Sequence, residues 1–432
     1  MSREMKDSGV EWIGEIPEDW EIIRAKNVFS YHKDIVGEKE NEYERLSLTL
    51  NGVLKRKRND SKGLQSESLS TYQILNKDEL VFKMIDLENI STSRVGYSKY
   101  TGLVSPVYII FNNSDYARFG YYYFYNMWQR AIFNQLGNNG VRSALNASDM
   151  LNLPFPKISK KEANKIANFL DEKVGEIDRL IDNAKKGIEE YKKYKQSVIT
   201  KAVTKGLDSN VEMKDSGVEW IGEIPKDWEF RKIKSFSDII SKGTTPKEMS
   251  TIKDSKYTIR YIKSENIVDD KLIDKPEFYI TNDVNEELKR SQLTDKDILF
   301  VIAGASIGKV AIMEGDLLPA NTNQAISFIR IKDEYLIYKK YLWYFLQSNI
   351  IKVVINLYSV QSAQPNLSME NLGNIKIPFP FYKNDINEII EYLDNKCYEI
   401  ENLIFKKEKL ISELESYKKS LIYEYVTGKK EV

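Results

Sequence analysis

The chain has 432 residues, in which 64 Lys and Arg balance 64 Asp and Glu, and 42% of the residues are hydrophobic. This length suggests about three domains of ~150 residues, and the composition excludes a disordered chain and a membrane protein. No apolar run approaches the ~18 residues that a bilayer span needs, so we expect a cytoplasmic protein without membrane contact. A single cysteine, Cys397, and a single histidine, His32, exclude a disulfide framework and multi-thiolate or multi-His metal sites.

The first predicted element belongs to an internal repeat. Residues 5–21 read MKDSGVEWIGEIPEDWE, and residues 213–229 differ from them only by Lys226 in place of Glu18. Pro17 breaks any helix in this strip, and its Trp and Ile residues predict an extended, aromatic-anchored segment that packs on a helix end. The chain is therefore a tandem duplication.

Each copy of the repeat carries a variable insert. Residues 22–152 and 230–376 share little, yet both contain strand-like runs, such as 79–85 and 325–331, and end in a helical stretch. Both inserts predict a compact α/β or α+β domain. They leave through matching segments, LPFP at 153–156 and IPFP at 377–380. Each half is thus a shared frame around a variable insert.

The segments after the inserts have the apolar spacing of a coiled coil. Apolar residues recur in steps of four and three over 170–202 and 393–425, interrupted only by lysines, and neither segment contains proline. Each helix needs a partner for its apolar stripe, and the simplest is the other copy in an antiparallel pairing. Cys397 falls in this seam as a small buried hydrophobe. The predicted seam residues are Leu170, Val174, Ile177, Ile181, Ile188, Leu393, Ile400, Ile404, Ile411 and Leu414.

The predicted fold is α+β, with two α/β domains joined by an antiparallel pair of long coiled-coil helices in a pseudo-twofold duplication. The predicted boundaries are 1–156 for the first domain, 157–212 for the central helical spacer, 213–380 for the second domain and 381–432 for the C-terminal helical spacer.

Candidate nucleic-acid contacts come from basic and polar loops in the slightly basic inserts. The run Lys55-Arg56-Lys57-Arg58 suits phosphate contacts, although such a run is also common in solvated loops. Asn and Gln can pair bidentately with adenine, and Arg or Lys with guanine, while ordinary turn chemistry accounts equally for the loop residues. The candidate DNA contacts are Lys55, Arg56, Lys57, Arg58, Arg94, Lys99, Asn138, Asn139, Arg142, Lys242, Lys263, Lys309, Asn321, Asn323, Gln324, Gln361 and Gln364.

Motifs for catalysis are not evident. The segment GASIGKV at 304–310 lacks the spacing and the Ser or Thr of a phosphate loop, and no dinucleotide-binding glycine motif follows a strand. The many carboxylates contain no pair that stands out as an acid–base site. We therefore predict no catalytic residue and no metal ligand.

The layout resembles the specificity subunit of type I restriction–modification systems. The resemblance rests on the GVEWIGEIPxDWE strips, the PFP exits and the helices of the FLDEKVGEIDRLI and SVITKAVTKG type. GLVSPVYIIF at 102–111 and GASIGKVAIMEGDLLPANTNQAI at 304–326 are similar to segments of that family's target recognition domains. The resemblance covers essentially the whole chain.

The resemblance implies a non-catalytic DNA-recognition subunit. Each target recognition domain would read one half of a split sequence in double-stranded DNA, and the helices would act as a spacer on which two methyltransferase subunits dock. Translocase–nuclease subunits complete such a restriction complex. S-adenosylmethionine, ATP and magnesium belong to those partners, so we expect this chain to bind no cofactor.

Two other interpretations stay open on the sequence alone. The chain could be a coiled-coil scaffold that binds proteins or glycans through its aromatic inserts, since it contains 27 Tyr and 6 Trp. It could also be an enzyme with an unrecognised carboxylate site. Sequence-selective, salt-sensitive duplex binding favours the DNA-recognition subunit, and its absence favours the scaffold. Methylation or cleavage by the chain alone favours an enzyme.

Overall fold

The computed structural model describes residues 3–56, 68–136, 144–359, 366–380 and 382–432. The chain divides into two compact units, the first comprising residues 1–185 and 408–432 and the second residues 186–407. Each unit holds one insert and part of each long helix, and the predicted domain boundaries stay predictions. Seven predicted DNA contacts lie outside the described residues: Lys57, Arg58, Asn138, Asn139, Arg142, Gln361 and Gln364.

The first unit is built from short strands followed by helices. Its strands are β1 (Met5–Asp7), β2 (Glu15–Pro17), β3 (Glu21–Arg24), β4 (Ser30–His32), β5 (Arg45–Thr49), β6 (Gly52–Arg56), β7 (Gln73–Leu75), β8 (Leu80–Phe82), β9 (Val95–Tyr97), β10 (Gly102–Val104), β11 (Ile109–Asn112) and β12 (Pro154–Lys157). Its helices are α1 (Ala117–Gln129), α2 (Ile132–Leu136), α3 (Ala147–Leu151) and the first part of α4 (Lys160–Lys205), together with residues 408–426 of the second long helix.

The insert of the first unit contains two four-stranded sheets. Their strand orders are β6-β5-β10-β7 and β4-β11-β8-β9, and β3 pairs with β12 where the chain enters and leaves the insert. Aromatic rings fill the core between the second sheet and α1: Phe82 contacts Phe111 edge to face at 4.9 Å, and Phe29 contacts Phe155 at 5.1 Å. Gly120 on α1 permits this packing, because a Cβ there would lie 2.7 Å from the Phe29 ring.

The second unit repeats the strip hairpin, the entry and exit strands and the long helix of the first unit, with different elements between them. Its strands are β13 (Met213–Asp215), β14 (Glu223–Pro225), β15 (Glu229–Lys232), β16 (Ser237–Lys242), β17 (Tyr257–Ile262), β18 (Ile267–Val268), β19 (Lys271–Leu272), β20 (Tyr279–Thr281), β21 (Asp297–Val301), β22 (Val310–Ile312), β23 (Ala320–Thr322), β24 (Ile326–Ile331) and β25 (Lys376–Phe379). Its helices, besides the second part of α4, are α5 (Ile233–Phe236), α6 (Asn282–Glu287), α7 (Lys339–Gln347), α8 (Asn349–Ser359), α9 (Met369–Asn374) and the first part of α10 (Lys383–Val426).

The sheets of the second insert are ordered β16-β24-β21-β22, β20-β17-β23 and β18-β19. Strand β21 is buried along its whole length, as its sequence DILFV predicts for a central strand. Strands β15 and β25 pair at the entry and exit of the insert, as β3 and β12 do in the first unit.

The two long helices pair in antiparallel fashion within each unit, as the apolar spacing predicts. In the first unit, Phe169 on α4 contacts Tyr425 on α10 with ring centroids 4.4 Å apart. In the second unit, Gly187 on α4 lies against Lys407 on α10. Within the described part of the chain, neither these helices nor any other is apolar over a length that could cross a membrane.

Both repeated strips fold as hairpins with the same register. Met5 pairs with Pro17 and Met213 with Pro225, so the strip turns back on itself and is not one extended segment as predicted. The turn is possible because Gly9 and Gly14 have φ of +69° and +71°. Each hairpin packs on a helix end of its own unit, as predicted: Trp20 joins Val426 of α10, and Trp228 joins Val203 of α4.

Candidate DNA interface and helical frame

A concavity lined by both polar and apolar residues lies on the β5–β6 hairpin of the first unit. Alternation along β5 turns Leu46 and Leu48 into the core and leaves Arg45 partly exposed on the other face. Arg45 is the direct cross-strand partner of Arg56, and both line a cavity of about 460 Å³. Because directly opposite residues of an antiparallel pair lie on the same face, the two guanidinium groups share one face of the hairpin. Arg45 was not among the predicted contacts. A two-residue turn at Asn51-Gly52 would set it opposite Arg58, whereas the observed turn at Leu50 and Asn51 sets it opposite Arg56.

Neutral hydrogen-bonding groups complete this concavity. Burial raises the pKa of Tyr108, so its phenol keeps its proton at neutral pH. Hydroxyl groups that donate and accept, beside guanidinium groups that only donate, suit both phosphate oxygens and base edges. The other residues that line the cavity are Leu46, Ser47, Leu48, Thr49, Leu54, Lys55, Thr92 and Ser105.

The other described candidates in the first unit differ in exposure. Lys55 is half exposed and pairs with Glu44 at 2.5 Å, and this hydrogen bond raises the pKa of Lys55. Lys99 is exposed. Arg94 is fully buried, and its guanidinium donates to the backbone carbonyls of Asp86 and Asn89. Burial lowers the pKa of Arg94. The structure therefore gives Arg94 a role in holding a loop and no access to DNA.

Two loops of the second unit form a shared polar edge. Gly243 donates its N–H to the carbonyl of Ile326 at 3.2 Å, and Thr244 donates to Thr322 at 3.1 Å. A Cβ on Gly243 would lie 1.9 Å from the Thr322 carbonyl oxygen, so only glycine fits this approach. The edge carries three predicted DNA contacts: exposed Lys242, exposed Gln324, which accepts from the Thr245 hydroxyl, and half-buried Asn323, which accepts from the Ala325 N–H.

The remaining candidates of the second unit make contacts within the fold. Asn321 is fully buried, and its amide donates to the Asn285 side chain at 2.9 Å, which leaves it no access to DNA. Lys263 is half buried with its ammonium 3.7 Å from the Phe278 ring centroid. Lys309 donates to the Ile267 carbonyl at 3.2 Å. These two lysines are partly exposed, and their role in DNA contact stays a prediction.

Each insert is clamped to the long helices by an equivalent carboxylate. In the first unit, Asp171 on α4 accepts from the Tyr122 hydroxyl at 2.7 Å and pairs with Arg118 one turn earlier on α1. In the second unit, Asp394 on α10 accepts from Tyr344 at 2.6 Å and pairs with Lys340 on α7. Asp171 and Asp394 occupy the same place in the shared sequences FLDEK and YLDNK. The frame thus holds two unlike domains with the same contact.

Lysines that interrupt the apolar seam form equivalent ion pairs. Lys418 pairs with Asp178 at 2.6 Å in the first unit, and Lys195 pairs with Glu401 at 2.7 Å in the second. The repeat relates Lys195 to Lys418 and Asp178 to Glu401. Burial acts to raise the pKa of Glu401, but hydrogen bonds from Lys195 and Lys271 lower it below its usual range. These pairs fix one register of the two helices in each unit.

The predicted seam residues lie inside the helix pairs or at their edge. Ile404, Ile411 and Leu414 are half buried, and the other seven seam residues are buried. Cys397 is also buried, and burial raises the pKa of its thiol to about 11. This cysteine therefore packs as a small apolar side chain.

Comparisons with known proteins agree with this architecture. The family model described as the type I restriction modification DNA specificity domain matches residues 225–410. The MjaVIII specificity subunit of Methanocaldococcus jannaschii, a type I restriction enzyme subunit, is 24% identical over 96% of this chain and 93% of its own length. The putative MjaX specificity subunit of the same organism is 24% identical over 96% of this chain and 95% of its own.

A solved structure shares the fold. One chain from a structural study of complex assembly and conformational transition of the type I R-M system has a TM-score of 0.67. The match covers 96% of this chain and 99% of that one, at 11% sequence identity. None of these comparisons supports a scaffold that binds proteins or glycans. With two unlike domains held on a duplicated frame, the chain is similar over nearly its whole length to type I restriction enzyme specificity subunits, and it contains a match to their DNA specificity domain.

Proposed function

We propose that this chain is the DNA sequence-recognition subunit of a type I restriction–modification complex and carries no catalytic site of its own. The observation that carries this proposal is the equivalence of the clamps at Asp171 and Asp394, which hold two different domains on one frame. A dimeric DNA reader recognises two half-sites related by its twofold axis. Two diverged domains on a duplicated frame instead read an asymmetric, bipartite target.

Recognition by the first domain centres on its concavity. Arg45 and Arg56 contact phosphates and fix the orientation of the domain, while the hydroxyl groups beside them reach base edges. In the second domain, the edge formed by the loops at Gly243 and Thr322 presents Lys242, Asn323 and Gln324. Asn and Gln suit adenine and Lys suits guanine, so this edge has the chemistry for direct base reading.

The long helices set the distance between the half-sites. Buried apolar contacts and the ion pairs Lys418–Asp178 and Lys195–Glu401 hold one register in each unit. An insertion of seven residues in both helices keeps the seam in phase and lengthens each by about 10.5 Å, close to three base pairs of duplex.

The partners of this chain are double-stranded DNA and two methyltransferase subunits that dock on the helices, with translocase–nuclease subunits joining for cleavage. Exposed aromatic side chains on α10 support protein docking there: Tyr398 is 67% exposed and Phe405 64% in the second unit, and Tyr417 is 56% exposed in the first. S-adenosylmethionine, ATP and magnesium bind to those subunits, and the complex works in the cytoplasm.

Methylation mapping tests the proposal. The chain is co-expressed with its methyltransferase, and the methylated sites are mapped by single-molecule sequencing. We expect one split target for the wild type. A variant with seven residues inserted after Lys185 and after Lys407 should methylate the same half-sites with a gap about three base pairs longer. The matched control carries seven extra residues in the exposed turn after Asn210, outside both helices, and should keep the original gap. An unchanged gap in the helix variant would refute the spacer role.

A further inference from the structure

An arginine side chain occupies a built site at the start of the first unit. The Arg3 guanidinium pairs with Asp19 at 2.7 Å and with Glu162, in the first turn of α4, at 2.9 Å. Its carbon lies 5.5 Å from the Trp20 ring centroid, and the Trp20 indole N–H donates to Glu162 at 3.2 Å. Glu431 lies 3.8 Å from the same guanidinium group, so three carboxylates and an aromatic face together hold it.

The second unit repeats the walls of this site without the arginine. By the internal repeat, Asp227 corresponds to Asp19, Trp228 to Trp20, and Asp385, in the first turn of α10, to Glu162. The residue that corresponds to Arg3 is Val211. These four residues line one cavity of about 230 Å³, although Trp228 is only 3% exposed, so little of its ring is open to the cavity.

The charge of this cavity favours a cation more strongly than in the first unit. Glu388, which also lines it, replaces Lys165 of the first copy, so a positive charge has become negative. Within the described residues, Asp227, Asp385 and Glu388 make no ion pair or side-chain hydrogen bond, although Lys205 lies at the same cavity. The described residues also contain no group of three His, Cys, Asp or Glu side chains placed to hold a metal ion.

We propose that this cavity, defined by Val211, Asp227, Trp228, Asp385 and Glu388, binds an arginine side chain of a partner protein. The first unit supplies its arginine from its own chain, whereas the second unit receives one from a docked subunit. The guanidinium group lies beside Trp228 and pairs with Asp227 and Asp385. The identity of the partner as the methyltransferase subunit rests on the proposed function; the cation site itself does not.

Fluorine NMR of the full chain labelled with 5-fluorotryptophan tests the site. The six Trp residues give six resonances, and Trp→Phe variants assign those of Trp20 and Trp228. L-argininamide should shift the Trp228 resonance, with half-saturation on the order of millimolar concentrations for a single exposed ion-pair site. Citrullinamide, an isostere whose ureido side chain is uncharged, should not shift it.

Matched variants make the result decisive. Val211→Arg fills the cavity from within the chain, and Asp227→Asn with Asp385→Asn removes its charge, so both should abolish the argininamide shift at Trp228. Arg3→Ala empties the first site and should give Trp20 a response that the wild type lacks. If argininamide does not shift the Trp228 resonance of the wild type, or shifts that of Val211→Arg by the same amount, the site does not exist.

The source of the arginine is tested by partner affinity. Val211→Arg should weaken binding of the methyltransferase subunit by roughly tenfold, because the cavity is then occupied. Arg3→Ala, which leaves the second site untouched, should not weaken it. An unchanged affinity of Val211→Arg for the methyltransferase subunit would overturn the assignment to this partner. If the wild-type chain does not bind that subunit at all, the result would instead contradict the proposed function.

Discussion

Neutralising the two guanidinium groups of the first concavity should reduce the salt dependence of DNA binding by a calculable amount. Arg45 and Arg56 are cross-strand neighbours, so both can reach the same stretch of backbone. Each phosphate contact contributes about 0.9 to the slope of log K against log salt concentration, so Arg45→Gln with Arg56→Gln should lower the slope by about 1.8. Between about 50 and 200 mM salt, the variant's fold-loss of affinity should be about 12 times smaller than that of the wild type.

Fluorescence anisotropy of the complex with its methyltransferase, on a duplex bearing the mapped target, measures this slope. Arg45→Lys with Arg56→Lys is the matched control, because it keeps both charges and should keep the slope. A slope that does not change on neutralisation would refute phosphate contact at this concavity. A changed first half-site at constant slope would instead assign the two arginines to base reading.

Three further predictions concern the frame and the second domain. Leu393→Ala, at a fully buried seam position, should destabilise the second unit by about 2–5 kcal/mol in native-state hydrogen exchange, whereas Leu403→Ala, at a 40% exposed position, should cost less than about 0.5 kcal/mol. Gly243→Ala forces its Cβ against the Thr322 carbonyl, so the polar edge must shift, and methylation of the mapped target should fall by at least roughly tenfold. The control Gly315→Ala, with no atom within 4 Å of its Cβ, should leave methylation unchanged. Glu401 has a lowered pKa in the folded chain, so its ion pairs stabilise the fold above the ordinary pKa of 4.5, and this stabilisation is lost as the pH falls through the folded-state pKa. Glu401→Gln should therefore reduce the loss of stability below pH 4.5. An unchanged dependence of stability on pH in that range would contradict this.

The frame could be predicted in detail because its signals are local or repeated. The four-and-three spacing predicts helices over 170–202 and 393–425. The first segment lies within α4 (Lys160–Lys205) and the second within α10 (Lys383–Val426). The duplicated strip also predicts its place on a helix end. Its hairpin was missed because the left-handed backbone at Gly9 and Gly14 leaves no periodic pattern in the sequence.

The candidate interface could be predicted only in part. Residue type identified Arg56, Lys242 and Gln324, which the structure leaves partly or fully exposed, but the same reasoning also selected Arg94 and Asn321, which are buried. A buried arginine and a surface arginine have the same sequence signature, because the carbonyl groups that satisfy Arg94 belong to its own loop.

The sequence by itself determined that the chain is a duplication with two unlike inserts on one helical frame, because repeats and hydrophobic periods are written along the chain. Only the tertiary structure decided which polar groups meet. It placed Arg45 opposite Arg56, joined Lys195 to Glu401, and left the walls around Trp228 without the arginine that fills the corresponding site at Trp20. Such pairings depend on contacts between residues far apart in sequence, and the burial and charge of each site follow from packing that no local pattern records.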